Sequence, residues 1–188
     1  MSLKKYQVFL IGLSTTLLMT ACTQAGAKTA NGSNTTDFSI STTNNTTYFS
    51  DKDYNTQYDE TTATKINLLG ETVSVSGDGV STTESIVTIS KAGTYIISGE
   101  SNGIQLKVDA DKEADIHIIL NGVTMTNSNA PINIQKANAV TITLEDGTTN
   151  TLADSSENSD EKANAVLFSK IDLIINGNGT LNIDAQKK

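Results

Sequence analysis

Three clusters of acidic residues carry most of the chemistry that this sequence offers. Calcium takes several oxygen ligands from carboxylates, amides and backbone carbonyls, and each cluster supplies such groups within a short stretch. The first stretch lacks the central glycine and the distal glutamate of an EF-hand, and each cluster can equally be a solvated acidic turn. The sequence predicts calcium as a cofactor without choosing a cluster. The candidate ligands are Asp51, Asp53 and Asp59, then Asp109, Asp111 and Asp115, then Asp154 and Asp160.

A second group of residues could contact a sugar chain. Binding modules often stack sugars on exposed aromatic rings, and two tyrosines precede the first repeat. Period-2 alternation turns polar residues of two later strands outward, where they could hydrogen-bond a chain. The candidate ligand-binding residues are Tyr54, Tyr58, His117, Thr141 and Thr143. As a lone outward residue on a strand, His117, the only histidine, favours a structural role over a ligand contact.

No arrangement of residues predicts a catalytic site. A lyase acting on uronates needs a Lys or Arg base beside a cation, whereas the lysines here are scattered at strand ends and turns. The sequence has no Ser/His/Asp or Cys/His arrangement, and nothing holds two carboxylates at the separation that a glycosidase needs. We therefore predict no catalytic residues.

The composition favours strands and argues against a nucleic-acid partner. The net charge is -8, and all 13 basic residues are lysines. Nucleic acid selects for basic patches, which an acidic chain without arginine does not supply. Abundant Ser, Thr, Asn and Gly beside Ile, Val and Leu are typical of strands joined by polar turns.

The N-terminus resembles a bacterial lipoprotein leader. Lys4 and Lys5 precede an apolar run that is too short to span a membrane, and the run ends in "LMTAC". We predict a signal peptide over residues 1–21, lipidation of Cys22, a flexible linker over 22–47 and a folded domain over 48–188. The protein would then be tethered to the outer face of the cell membrane by its lipid alone. An ordinary signal peptide that carries a cysteine is the alternative.

The remaining sequence consists of short alternating strands that recur as a unit. Each unit has a strand ending at Asn-Gly, Asp-Gly or Gly-Asn-Gly, and the first two add a polar loop and a short apolar strand. A strand-only repeat of 20 to 30 residues indicates a solenoid. We predict an all-β fold, a right-handed parallel β-helix, with a β-sandwich as the alternative because Asn-Gly also forms hairpins.

The repeats predict which residues stack inside the helix. The period is 24 residues from Leu120 to Leu144 and about 31 from Leu144 to Ile175, by counting along the sequence. Ile132 and Ile134 are expected to stack on Val166 and Phe168. The other predicted inward residues are Ile116, Ile118, Leu120, Val140, Ile142, Leu144, Leu173 and Ile175.

The final segment, "NIDAQKK", has no features of a cap. An open last coil would leave an unpaired sheet edge, which natural proteins avoid. The sequence therefore suggests that the domain is incomplete or that a second copy covers its last coil. The oligomeric state is not predicted.

The ordered series "GTYIISG", "LNGV", "LEDGTTNTL" and "FSKIDLIINGNGTL" resembles one known family. This is the carbohydrate-binding, polysaccharide-lyase-like β-helix domain of bacterial cell-surface proteins, of clostridial type. The resemblance covers most of the chain from Tyr48 to Asp184. It implies binding of a plant-wall or other acidic polysaccharide, assisted by calcium and without catalysis. A surface stalk or adhesin and a lyase-like enzyme are the alternatives.

Overall fold

Short segments rich in Ile, Val and Thr form the strands, as their β-branched side chains favour. The computed structural model describes residues 49–156 and 162–186, and these form a β-solenoid of about 4 turns. A 3-10 helix, Asp51–Tyr54, comes first. The strands are β1 Thr64–Gly70, β2 Thr72–Ser76, β3 Val80–Thr83, β4 Ile86–Ile89, β5 Gly93–Asn102, β6 Gln105–Asp109, β7 Asp115–Asn127, β8 Ile132–Lys136, β9 Ala139–Leu144, β10 Thr149–Asp154, β11 Leu167–Ser169, β12 Leu173–Gly177 and β13 Thr180–Asp184.

Strands of successive turns pair in parallel, which confirms the β-helix and makes the sandwich alternative wrong. Sheet A has the order β12-β9-β7-β5-β1-β2, and β10 joins the second half of β7 to β13. Sheet B has the order β11-β8-β6-β4-β3. The two antiparallel pairs, β1–β2 and β3–β4, place β2 and β3 at the outer edges of the two sheets. Parallel pairing requires a full turn of chain between neighbouring strands, and the solenoid supplies that turn.

Like residues stack inside the turns, as the repeats predict. Ile116, Ile118 and Leu120 of β7 align with Val140, Ile142 and Leu144 of β9, and all six are buried in one core. Ile132 and Ile134 of β8 are fully buried in the same core. Leu173 packs against this core, whereas the side chain of Ile175 in the last turn is 46 % exposed.

Two predicted registers are wrong. β12 aligns Leu144 with Gly177 and Ile142 with Ile175, so the second period is two residues longer than the predicted 31. β11 aligns Leu167, not Val166, with Ile132, and it places Phe168 beside Asn133. β11 has only three residues, and apolar residues lie on both of its faces. Alternation over such a short strand therefore could not fix the register.

A buried asparagine joins three successive turns at one corner of the solenoid. Asn150, at 0 % exposure, accepts a hydrogen bond from the backbone N–H of Val123 at 2.9 Å. Its side-chain amide donates to the carbonyl oxygen of Thr180 at 3.2 Å. Both polar atoms of a buried amide thus have partners, which avoids the cost of an unsatisfied group.

The outer face of sheet A carries two lateral rows of side chains. The first, the open row, aligns Thr94, His117, Thr141 and Ile174, and the second, the covered row, aligns Ile96, Ile119, Thr143 and Asn176. Ile119 is 0 % exposed although alternation turns it away from the core. Its burial requires cover on the outer face. The segment that lies over this face is residues 49–60, which we call the strap.

The described residues contain no helix that is long and apolar enough to cross a membrane. The predicted signal peptide, Cys22 and the predicted linker lie outside the described residues.

Candidate functional site

A groove lies on the outer face of sheet A, with the strap on one side and the beginnings of strands β5, β7 and β9 on the other. Its volume is about 530 Å³, within the range of small-molecule sites. The strap forms one wall, and the open row forms the floor. Polar groups with both donor and acceptor capacity line the groove together with a larger apolar surface. The side chains that define it are Lys52, Asn55, Thr94, Asp115, His117, Asn138, Thr141 and Ile174.

Each wall of the groove has a local cause. Alternation on β5, β7 and β9 turns Thr94, His117 and Thr141 outward, and parallel pairing brings them side by side. Asn138 precedes β9, and its side-chain amide donates to Asp115 Oδ1 at 2.7 Å. This hydrogen bond between adjacent turns fixes one rim of the groove.

A chain of hydrogen bonds holds the strap on the covered row. His117 Nε2 lies 2.7 Å from Thr143 Oγ1, and Thr143 Oγ1 donates to Asn176 Oδ1 at 2.6 Å. Asn176 Nδ2 then donates to two strap carbonyls, those of Asp53 at 3.0 Å and Asn55 at 3.1 Å. Three successive turns therefore fix one segment through their outward side chains.

Tyr58 is the second anchor of the strap. Its ring meets the His117 ring edge-on with 6.2 Å between centroids, and its hydroxyl donates to Glu145 Oε2 at 2.8 Å. Burial, and then the hydrogen bond to the Glu145 carboxylate, raises the pKa of Tyr58 to about 12. Burial alone lowers the pKa of His117.

The predicted sugar-contacting residues gather around the strap, but their exposure differs. Tyr54 is 69 % exposed and forms an edge-on pair with Phe49 at 6.1 Å. Thr141 and His117 line the groove. Thr143 is buried beneath the strap and uses its hydroxyl within the chain, and Tyr58 likewise donates to Glu145.

The first acidic cluster lies within the strap. The Asp53 carboxylate accepts hydrogen bonds from the backbone and side chain of Ser50. Asp59 accepts from the hydroxyl and backbone N–H of Thr61, which lowers the pKa of Asp59. Asp51 is exposed on the 3-10 helix.

The second and third clusters are dispersed along strand ends. Lys107 donates to Asp109 at 2.8 Å and lowers the pKa of Asp109, and Asp111 lies 3.9 Å from Lys136. The buried Asp154 accepts from the backbone N–H of Gln186 at 2.6 Å. Asp160 lies outside the described residues. Within 49–156 and 162–186, no three His, Cys, Asp or Glu side chains come together as a group that could hold a metal ion.

Several residues of the groove have no counterpart among the predicted sites. Lys52 and Asn55 reach the sheet only because the strap folds back over it, and Asn176 holds that strap from more than a hundred positions away. The outward position of Asn176, two residues after Ile174, was the one available signal.

The chain resembles known proteins in sequence and in structure. The family described as "Carbohydrate-binding domain-containing protein" matches residues 83–188. The chain belongs to this family. A curated carbohydrate-binding domain-containing protein from Acetivibrio thermocellus is 41 % identical over 114 residues, which cover 57 % of this chain and 40 % of that protein.

A solved structure shares the fold of this carbohydrate-binding domain. It is a polysaccharide lyase-like protein from C. thermocellum, solved as a gadolinium derivative, with a TM-score of 0.63 and 38 % sequence identity. The alignment covers 67 % of this chain and 54 % of the other. The chain thus spans about half the length of that protein and two fifths of the curated relative. The open row lies within the family match, and the strap precedes it.

Proposed function

We propose that this protein binds polysaccharide, without cleaving it, along the groove on the outer face of sheet A. The observation that carries the proposal is the open row, in which neighbouring strands present hydroxyl and imidazole groups side by side next to an apolar Ile174. Sugars combine hydroxyl-rich edges with apolar faces, so a site of this kind matches both. Membership of a carbohydrate-binding family supports the same ligand class.

The extent of the surface supports a polymer over a single sugar. The groove shares Gly93 and Thr94 with a second groove of about 510 Å³ beside Lys91 and Tyr95. It shares Ile174 with a third, of about 740 Å³, beside Tyr54. The three together cross the strands of sheet A, whose neighbours lie about 4.8 Å apart. A chain lying across the strands would meet a new side chain at each one.

Affinity electrophoresis tests the proposal. Polygalacturonate, hydroxyethylcellulose and xylan are cast separately in native gels. We expect at least one polymer to retard the protein, and we expect Thr141→Trp, which fills the groove, to abolish the retardation. Thr88→Trp is the matched control, because Thr88 is an outward, half-buried threonine on sheet B. Equal retardation of both variants and the original protein would show that the binding site lies outside this groove. No retardation by any polymer would refute the proposal.

We further propose that calcium assists the binding of acidic polymers. The chain carries a net charge of -8, so a polyuronate needs a bridging cation to overcome repulsion. The described acidic residues do not form a preformed cation cage, so the ligand's own carboxylates would have to complete the coordination. Retardation by polygalacturonate should vanish with chelator and return with calcium. Retardation that chelator leaves unchanged would reject the bridge.

The absence of catalysis is likewise a proposal. The charged or titratable side chains on the groove are Lys52, Asp115 and His117, and Asp115 is held by Asn138. β-Elimination needs a base together with a group, usually a cation, that neutralises the uronate carboxylate, and no three His, Cys, Asp or Glu side chains within 49–156 and 162–186 come together to hold a metal ion. Incubation with polygalacturonate should release no unsaturated product, which would be detected by the ultraviolet absorbance of an enol ether conjugated to a carboxylate. Steady product release would favour the lyase alternative.

We propose that Cys22 is lipidated and anchors the protein at the cell surface. The support is the "LMTAC" sequence after a short apolar run and the single cysteine in the chain. Cells expressing the protein should incorporate labelled palmitate into it, and Cys22→Ser should remove the label and release the protein into the medium. Unchanged labelling of Cys22→Ser would contradict the anchor.

A further inference from the structure

The hydrogen bonds around His117 determine where its proton lies. The Asn176 amide donates to two strap carbonyls, which can only accept, so its nitrogen faces the strap and its oxygen faces Thr143. Thr143 donates its one hydroxyl hydrogen to that oxygen, with 2.6 Å between Thr143 Oγ1 and Asn176 Oδ1. Thr143 Oγ1 must therefore accept from His117, and the imidazole hydrogen lies on Nε2.

The other ring nitrogen of His117, Nδ1, is free to accept a hydrogen bond. Within the described parts of the chain, Nδ1 of His117 has no hydrogen-bond partner, although the residue lines the groove. With Nε2 protonated, the neutral ring presents Nδ1 as an acceptor. Burial favours this neutral form by lowering the pKa of His117.

We propose that His117 is a specificity-determining residue of the groove, with Nδ1 accepting a hydrogen bond from a sugar hydroxyl of the bound polysaccharide. This inference rests on the proposed function and assigns one contact within it. Protonation leaves the Nε2 bond to Thr143 intact, because Nε2 is already a donor. It converts only Nδ1, from an acceptor of a hydroxyl hydrogen to a cationic donor that suits a uronate carboxylate. Acidification should therefore weaken binding of a neutral polymer and strengthen binding of an acidic one.

Few other charges face this position. Lys52 of the strap and Asp115 of β7 line the same groove, and Tyr58 contacts the ring while bonded to Glu145. The neighbouring strands contribute the neutral residues Thr94, Thr141, Thr143, Ile174 and Asn176. Histidine is the side chain whose ordinary pKa lies between about pH 5 and 8, so the change at Nδ1 dominates over that range.

Nitrogen NMR of the single histidine tests which ring nitrogen carries the hydrogen, and it needs no ligand. In ¹⁵N-histidine-labelled protein at neutral pH, we expect a protonated Nε2 and an unprotonated Nδ1. Thr143→Val removes the acceptor and should allow both tautomers. A protonated Nδ1 in the neutral form of the original protein would overturn the inference.

Gel retardation tests the contact itself. His117→Gln keeps a donor in reach of Thr143 and removes the groove acceptor, so it should bind hydroxyethylcellulose about three- to tenfold more weakly, the worth of one hydrogen bond. The original protein should lose binding to the same extent on acidification, and the variant should show no such pH dependence. Equal affinity and equal pH dependence would overturn the role of His117 and leave the proposed function standing. Failure of the original protein to bind any polymer would overturn both.

Discussion

Single side chains of the outer face decide whether the strap stays in place. Asn176 supplies both donors that hold the strap carbonyls of Asp53 and Asn55. Asn176→Asp replaces these donors with a carboxylate that repels the same carbonyls, so the strap should detach. Because the strap carries Tyr58, the pKa of Tyr58 should fall from about 12 towards the ordinary tyrosine value of 10.0.

Tyrosine titration by NMR measures this effect directly. Asn178→Asp is the control, since Asn178 follows in the same turn and makes no hydrogen bond within the described residues. Its substitution adds the same charge near the strap without removing a hydrogen bond to it. A Tyr58 pKa that remains near 12 in Asn176→Asp would show that the strap is held by other contacts.

His117 also gives stability a defined pH dependence. Burial lowers its pKa below the usual 6.5, so the unfolded chain binds a proton there more readily than the folded protein. Stability should be unaffected above about pH 7.5 and should fall as the pH drops through about 6.5. His117→Gln should reduce the difference in the free energy of unfolding between about pH 7.5 and about pH 5, measured with urea.

The carboxylates with lowered pKa values affect stability at a lower pH than His117 does. Asp59 and Asp109 have pKa values below the ordinary aspartate value of 3.8, so their contributions to stability are complete above that pH and are lost only as the pH falls further. If His117→Gln leaves the difference in the free energy of unfolding between about pH 7.5 and about pH 5 unchanged, the imidazole is not responsible for it.

At the scale of elements, close approach of successive turns requires glycine at one corner. Gly99 of β5 has φ +89°, and a Cβ built there would lie 2.3 Å from the carbonyl oxygen of Leu68 in the preceding turn. Gly103 has a similar φ of +98° but open space around it. Gly103→Ala should cost about 1–2 kcal/mol from backbone strain alone. Gly99→Ala should cost clearly more, because the turn must also move away from Leu68.

Urea denaturation of the two alanine variants measures the difference. The similar positive φ makes Gly103→Ala a control for strain, and the additional loss of stability in Gly99→Ala reports the contact between turns. Equal free energies of unfolding for the two variants would contradict the close approach at Gly99.

The elements also show which features the sequence could predict. Period-2 alternation identified Ile116, Ile118 and Leu120 as inward residues, because every second side chain of a strand shares a face. The spacing from Leu144 failed by two residues, since the polar insert before β11 has no pattern that fixes its contribution to the turn. The strap was outside the reach of any local pattern: Asn176 and Asp53 are 123 positions apart. The groove residues Lys52 and Asn55 depend on that contact, and so they were missed as sugar-contacting residues.

At the scale of the whole molecule, the solenoid converts a sequence repeat into a row of aligned side chains. Each turn adds one outward residue to the open row and one to the covered row. The covered row is used to hold the strap, and the strap supplies the wall that makes the open row a groove. The same repeat thus provides both the core of the domain and its proposed ligand surface.

The most direct test is to locate bound oligosaccharide on the molecule. Cellotetraose and tetragalacturonate are added in turn to isotope-labelled protein, with calcium present, and amide and side-chain shifts are mapped by NMR. Binding along the open row predicts changes at Thr94, His117, Asn138 and Thr141 with at least one of the two ligands. Changes confined to sheet B or to the exposed face of the last turn around Ile175, or no change with either ligand, would contradict it.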